Sequence, residues 1–168
     1  MLTTTKRKLR NPGPDIHGAC KGRYKFLCTW APEGDDEPIS LMEILDNNGL
    51  DDAVWALRAC DGSEDLARWF ARWCALTVRH LWEMPEVVGR YLRTGDPALR
   101  AASWNEAYGA SLYASYYASW DAAWGAARGA ARGAARDAQP NCLRRLLTDG
   151  IPPGDITDGV VEEYGRQP

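Results

Sequence analysis

The sequence predicts an all-α protein in which several short helices pack on one long alanine-rich helix, about residues 97–138, between flexible termini. Three observations predict it. Apolar residues between positions 40 and 94 recur at three- and four-residue intervals, punctuated by capping residues and glycines. After Asp96-Pro97 no further proline occurs before Pro140. Residues 110–138, ASLYASYYASWDAAWGAARGAARGAARDA, advance in four-residue steps built on alanine and serine.

In chain order, residues 1–15 carry Lys6, Arg7, Lys8 and Arg10 ahead of Asn11-Pro12-Gly13-Pro14 and predict a flexible basic arm. A single helical domain then spans 16–150, and 151–168 is an acidic flexible tail. Between Ile16 and Trp30 the pattern suits a short helix or a strand equally. Residues 31–38, APEGDDEP, are a loop by composition. Ser40 with Glu43 three residues on is a capping-box pattern, and Leu41, Ile44 and Leu45 form an apolar face that stops at Asn47-Asn48-Gly49. Asp51 and Asp52 open a second helix, with Leu50, Val54, Trp55 and Leu57 inward, before Asp61-Gly62. Ser63 caps a third, whose apolar stripe runs through Leu66, Trp69, Phe70, Trp73, Leu76, Thr77, His80 and Leu81 to a stop at Pro85. The stripe makes His80 a core histidine. Residues 86–93 form a fourth helix closed by Gly95, and Cys142 to Leu147 a last short one closed by Asp149-Gly150.

The long helix would hold about 40 residues over about 60 Å, roughly twice the diameter of a small domain. Its recurring third place holds Trp104, Tyr108, Leu112, Tyr116, Trp120 and Trp124, then Arg128, Arg132 and Arg136. A four-residue step overshoots one turn by about 40°, so this line spirals around the rod. Either neighbouring helices wrap the spiral, or the rod breaks near Gly109 or Gly125 and its pieces face different neighbours. Each interior glycine costs about 1 kcal/mol relative to alanine, so Gly109, Gly125, Gly129 and Gly133 imply a compensating close approach of another backbone.

With 168 residues the chain is long enough for a real core, and its eight tryptophans and seven tyrosines suit cores and interfaces alike. The net charge of −3 conceals segregation. Residues 1–30 hold seven Lys/Arg against Asp15, whereas 31–65 hold eleven acids against Arg58. Charged blocks on a nearly neutral chain favour protein partners over bulk nucleic acid. The five cysteines form no Cys-x-x-Cys pair, and the polar, basic start lacks the apolar stretch of a signal peptide. Reduced thiols in a cytoplasmic protein, the bacterial cytosol, follow. No apolar run reaches the length of a membrane span.

Residues with chemical potential do not assemble into a reaction centre. His17, Cys20 and Cys28 have no familiar zinc spacing. Cys74 and His80, six apart on one helix, point to different faces. Glu162 and Glu163 fall in the tail, and the repeated glycines sit inside a helix instead of a phosphate loop. We therefore expect no enzyme activity, no cofactor and no metal. Candidate partner-binding residues are the tyrosines Tyr113 and Tyr117, the arginines Arg128, Arg132 and Arg136, and the acids Asp35, Asp36, Asp51 and Asp52. The acids suit a mimic of phosphate spacing that occupies a basic groove, and the Gly/Ala ridge suits a homodimer.

Two stretches resemble known material. IHGACKGRYKFL followed by LMEILDNNGLDDAVWALRAC resembles a module of phage and prophage proteins. LARWFARWCALTVRHLWE and the alanine-rich run after it resemble the immunity proteins encoded beside bacterial toxin genes, with Phe70, Ala71, Trp73, Cys74 and Ala75 in the family's order and Leu76 where that family carries an acid. The resemblance implies an all-helical phage or mobile-element protein that binds and neutralises another protein; we expect that partner to be a bacterial effector, either a toxin or a phage-defence nuclease, the latter in the manner of an anti-CRISPR inhibitor. A self-assembling structural protein of a phage is the alternative expectation.

Overall fold

The computed structural model describes residues 2–13, 18–81, 84–116 and 138–166, with 107–116 described as backbone alone. The protein is all-α. The only strands among the described residues are β1 (Thr3–Thr4) and β2 (Ile39–Ser40), antiparallel with Thr3 opposite Ser40 and Thr4 opposite Ile39. The helices are α1 (Lys6–Arg10), α2 (Lys21–Leu27), α3 (Leu41–Asn48), α4 (Leu50–Ala56), α5 (Glu64–Thr77), α6 (Glu86–Thr94), α7 (Pro97–Tyr116), α8 (138–149) and α9 (Asp158–Gly165). Short 3-10 turns occupy Leu57–Ala59 and Arg79–Leu81. Two compact units divide the chain, Met1–Arg68 with Leu143–Ile151, and Trp69–Cys142 with Pro152–Pro168, where a single domain over 16–150 was expected.

In the first unit, the start of the chain is folded, unlike the flexible arm expected of residues 1–15. Thr5 caps α1 by accepting from the Lys8 N–H at 3.2 Å, and Leu9 is buried. The Thr4 hydroxyl donates to the Ala59 carbonyl at 2.7 Å, and the Arg7 N–H to the Asp35 carbonyl at 3.0 Å. These long-range bonds offset the low intrinsic stability of a five-residue helix. The capping box forms as predicted: the Ser40 N–H donates to Glu43 at 3.0 Å, while the Ser40 hydroxyl accepts from Met42. Leu41, Ile44 and Leu45 are buried beneath it. Gly49, at φ +86°, ends α3 and turns the chain directly into α4, a conformation in which a side chain would strain the backbone. Ser63 acts differently from the expected cap. Its hydroxyl lies 2.6 Å from the Leu57 carbonyl and 2.9 Å from that of Cys60, so it ties down the preceding 3-10 turn.

In the second unit, α5 buries Trp69, Phe70, Trp73 and Leu76, the stripe expected of it. The helix stops at Thr77, eight residues before Pro85, and the Thr77 hydroxyl donates to the Cys74 carbonyl at 2.7 Å. His80 is consequently exposed on the 3-10 turn, which corrects its expected place in the core. Gly95 closes α6 in the left-handed region at φ +70°, and its N–H reaches the Tyr91 carbonyl. Asp96 then caps α7, accepting from the Ala98 N–H at 2.9 Å, with Pro97 in the first turn where its missing N–H costs nothing. Ser103 is buried against α6 through a 3.1 Å bond to the Val87 carbonyl. Trp104, the next residue, is 73% exposed, so the row of bulky third-place residues starts on the outer side of α7.

The tail is also folded, in contrast to the flexible 151–168 expected. Thr157 caps α9, Ile156 is fully buried, and the buried Tyr164 sets its ring 5.2 Å from that of Trp69. Asp158 accepts from Arg79 at 2.8 Å and Arg93 at 2.9 Å. Pro140 was expected to mark a helix end, yet it lies within α8; a proline is tolerated in the first turn of a helix, and the described helical residues begin at 138. The expected rod over 97–138 is observed as far as Tyr116, and the remainder lies outside the described residues.

Candidate functional site

The site is built in the first unit from one basic and one acidic stretch of sequence. α2 follows the extended Cys20 and places Arg23, Tyr24 and Leu27 on one helical side at three- and four-residue spacing. α3 supplies Ile44 and Asn48, and the turn at Gly49 brings α4 round so that Asp52, Trp55 and Ala56 share a face. Between them lies a cleft of about 370 Å³ whose lining is largely apolar. Leu27, Ile44 and Ala56 are buried, whereas Asp51 lies exposed on the lip.

A chain of polar contacts crosses this cleft. The Trp30 indole donates to Asn48 Oδ1 at 2.9 Å, Asn48 Nδ2 donates to Asp52 Oδ2 at 2.7 Å, and Asp52 Oδ1 lies 3.3 Å from Arg23 Nε. Asn48, itself buried, uses its amide as both donor and acceptor, and this fixes the orientation of Asp52. Both rings in the lining carry a guanidinium on one face: Arg10 lies 5.9 Å from the Tyr24 centroid and Arg58 5.7 Å from that of Trp55. Burial first, then the Cys28 side chain, raises the Tyr24 phenol above its ordinary value. It is therefore a neutral hydroxyl at physiological pH.

Asp51 and Asp52, singled out from the sequence, are brought together here. Asp35 and Asp36 are placed elsewhere, on the loop that wraps α1, and are partnered: Asp35 with Arg10, and Asp36 with Arg7 through two hydrogen bonds of 2.6 Å. Lys8 meets Asp61 at 2.6 Å in the same way, and Arg144 meets Asp46. Four of the seven cations of residues 1–30, Arg7, Lys8, Arg10 and Arg23, thus meet acids of residues 31–65 in ion pairs. Of the four acids expected to mimic phosphate spacing, Asp35, Asp36 and Asp52 are taken up in these pairs, and Asp51 is the one without an ion pair among the described residues. Tyr113 lies on α7, where the backbone alone is described. Tyr117, Arg128, Arg132 and Arg136 lie outside the described residues, as do Gly125, Gly129 and Gly133 of the proposed dimer ridge.

The other candidate chemistries fall as follows. None of the five cysteines forms a disulfide. Cys20 and Cys28 are exposed, His17 lies outside the described residues, and among those residues no group of His, Cys, Asp and Glu is close enough to hold a metal ion. Burial pushes the Cys60 thiol up to about 11 and the Cys74 thiol up to about 12, so both stay protonated at neutral pH. Glu162 and Glu163 are exposed on α9. Among the described residues no helix is long and apolar enough to cross a membrane.

Arg23, Tyr24, Trp30 and Asn48 were not among the residues expected at a site from the sequence. Asn48 and Asp52 lie on either side of the Gly49 turn, so the four-residue rule of a continuous helix could not announce their contact. No family model, curated protein or solved structure matches the chain.

Proposed function

We propose that this protein is a non-enzymatic binder in the bacterial cytosol, made by a phage or mobile element, that neutralises a toxin or a phage-defence nuclease by covering part of its surface. The observation that carries this reading is the cleft of about 370 Å³ in the first unit, with apolar walls and a fixed polar crossing. Interfaces draw most of their affinity from a few anchors seated in such concavities, and the surrounding contacts chiefly exclude water. Effector and nuclease surfaces that grip nucleic acid are rich in lysine and arginine, the side chains an acid such as Asp51 would meet. Trp104, exposed on α7, offers a second apolar contact.

The test is to isolate the protein with its partner from its native host at low salt and assay that partner. Equimolar addition of the purified chain is expected to abolish the partner's activity, with binding that weakens as salt is raised. Turnover of a small molecule by the purified chain, lost on changing one side chain, would overturn the proposal.

A further inference from the structure

We infer that the cleft between α2, α3 and α4 is an anchor pocket for one arginine or lysine side chain of a partner protein, with the methylene stem against the apolar walls and the cationic head at Asp51. This rests on the masking function proposed above and specifies the chemistry of its anchor.

Size and lining agree with a single amphipathic occupant. The cleft falls within the range of pockets that enclose a small group, and Leu27, Ile44 and Ala56 offer the apolar surface along which long basic side chains bury their stems. Charge decides the head. Arg23 faces Asp52, and Asp52 is held in addition by Asn48, so these charges already answer one another. Asp51, exposed on the lip, has no hydrogen bond or ion pair among the described residues, and the lining holds two carboxylates against one guanidinium. Arg58 lies over Trp55, whose ring lines the pocket, and makes no ion pair with Asp51 among the described residues. An anionic anchor would meet two carboxylates and one guanidinium that is already paired. A neutral apolar anchor would leave Asp51 partly shielded from water with nothing to replace that hydration.

The probe is the peptide Ac-Ala-Arg-Ala-NH2, titrated into the full, isotopically labelled chain and followed by nuclear magnetic resonance, beside a citrulline peptide of equal shape and no charge. Saturable shifts are expected at the Trp55 indole and the α4 amides, with the arginine peptide binding at least about fivefold more tightly than citrulline. Asp51→Asn should reduce the arginine peptide to the citrulline level, and Asp51→Glu should restore most of the difference. Ala19→Phe, which fills the cleft without changing a charge, should weaken both peptides. Equal binding of the two peptides, an Asp51→Asn chain that binds as the parent does, or an absence of saturable shifts at the cleft would each overturn the inference. Failure of the masking function reads differently: the peptide titrations would stand while the effector stayed active in the presence of the chain.

Discussion

In the first unit, short helices are tied together by charge pairs between stretches far apart in sequence; in the second, the part of α5 from Trp69 onward supplies a row of large rings. Arg7 with Asp36, Lys8 with Asp61 and Arg23 with Asp52 represent the first manner of construction. Trp69 against Tyr164, and Phe70 stacked on Trp73 at 6.3 Å, represent the second. Exposed ion pairs contribute little each and are screened by salt, whereas buried rings carry large transfer energies and steep penalties for removal. The difference teaches that these exposed pairs chiefly select which segments meet, and that stability in both units comes from the side chains buried beneath.

Three measurements sharpen or break this comparison. The largest effect is expected from Trp73→Ala, which empties a fully buried site beside Phe70 and Gly165 and should cost about 3–5 kcal/mol in urea unfolding. Trp73→Phe should cost clearly less, since it also removes a buried indole N–H that has no hydrogen-bond partner among the described residues. An Ala variant as stable as the parent would mean that the rings of α5 do not hold the second unit. Next comes Ser40→Ala, which breaks both the cap of α3 and its reciprocal geometry with Glu43 and should cost about 1 kcal/mol. A cost near that of Trp73→Ala would show that the first unit depends on local helix ends far more than proposed.

The smallest effect is electrostatic and has a definite sign. A hydrogen bond from Arg7 depresses the Asp36 carboxyl below its ordinary value of 3.8, and Arg93, aided by Arg79, does the same for Asp158. The unfolded chain binds protons at these sites more readily, so their contribution is present above the ordinary value and is lost as pH falls through the depressed folded values. Thermal midpoints should decline on acidification from about pH 5 to about pH 2, and the decline should shrink when both Asp36→Asn and Asp158→Asn are introduced. A double variant that loses stability as steeply as the parent would remove these two carboxylates from the account.

What the sequence disclosed was mainly local. The capping box at Ser40, the glycine stop at Gly95 and the Asp96-Pro97 start each depend on residues within one turn of each other, and all three appear in the structure. What stayed hidden depends on distant partners. Residues 1–15 read as a loose arm because nothing within them announces the pairing of Thr3 and Thr4 with Ser40 and Ile39. The tail read as loose because Tyr164 and Asp158 find Trp69, Arg79 and Arg93 only after folding. The periodic stripe of α5 overran its true end, since His80 and Leu81 kept the spacing after the backbone had left the helix. Half of the candidate site was legible, because Asp51 and Asp52 open a helix by a recognisable pattern. The opposite wall was not: the stretch containing Arg23 and Tyr24 fitted helix and strand alike, and only tertiary packing decides such a segment.

The clasp between β1 and β2 fastens the two ends of everything from Thr5 to Pro38 at one point, reinforced where the Leu41 N–H reaches the Leu2 carbonyl at 3.1 Å. Segments anchored at both ends tend to open as a block. Deuterium should therefore enter the amides of α1 and α2 together, at a rate governed by release of that two-residue ladder, and a proline placed at Thr4 should quicken exchange across the whole loop.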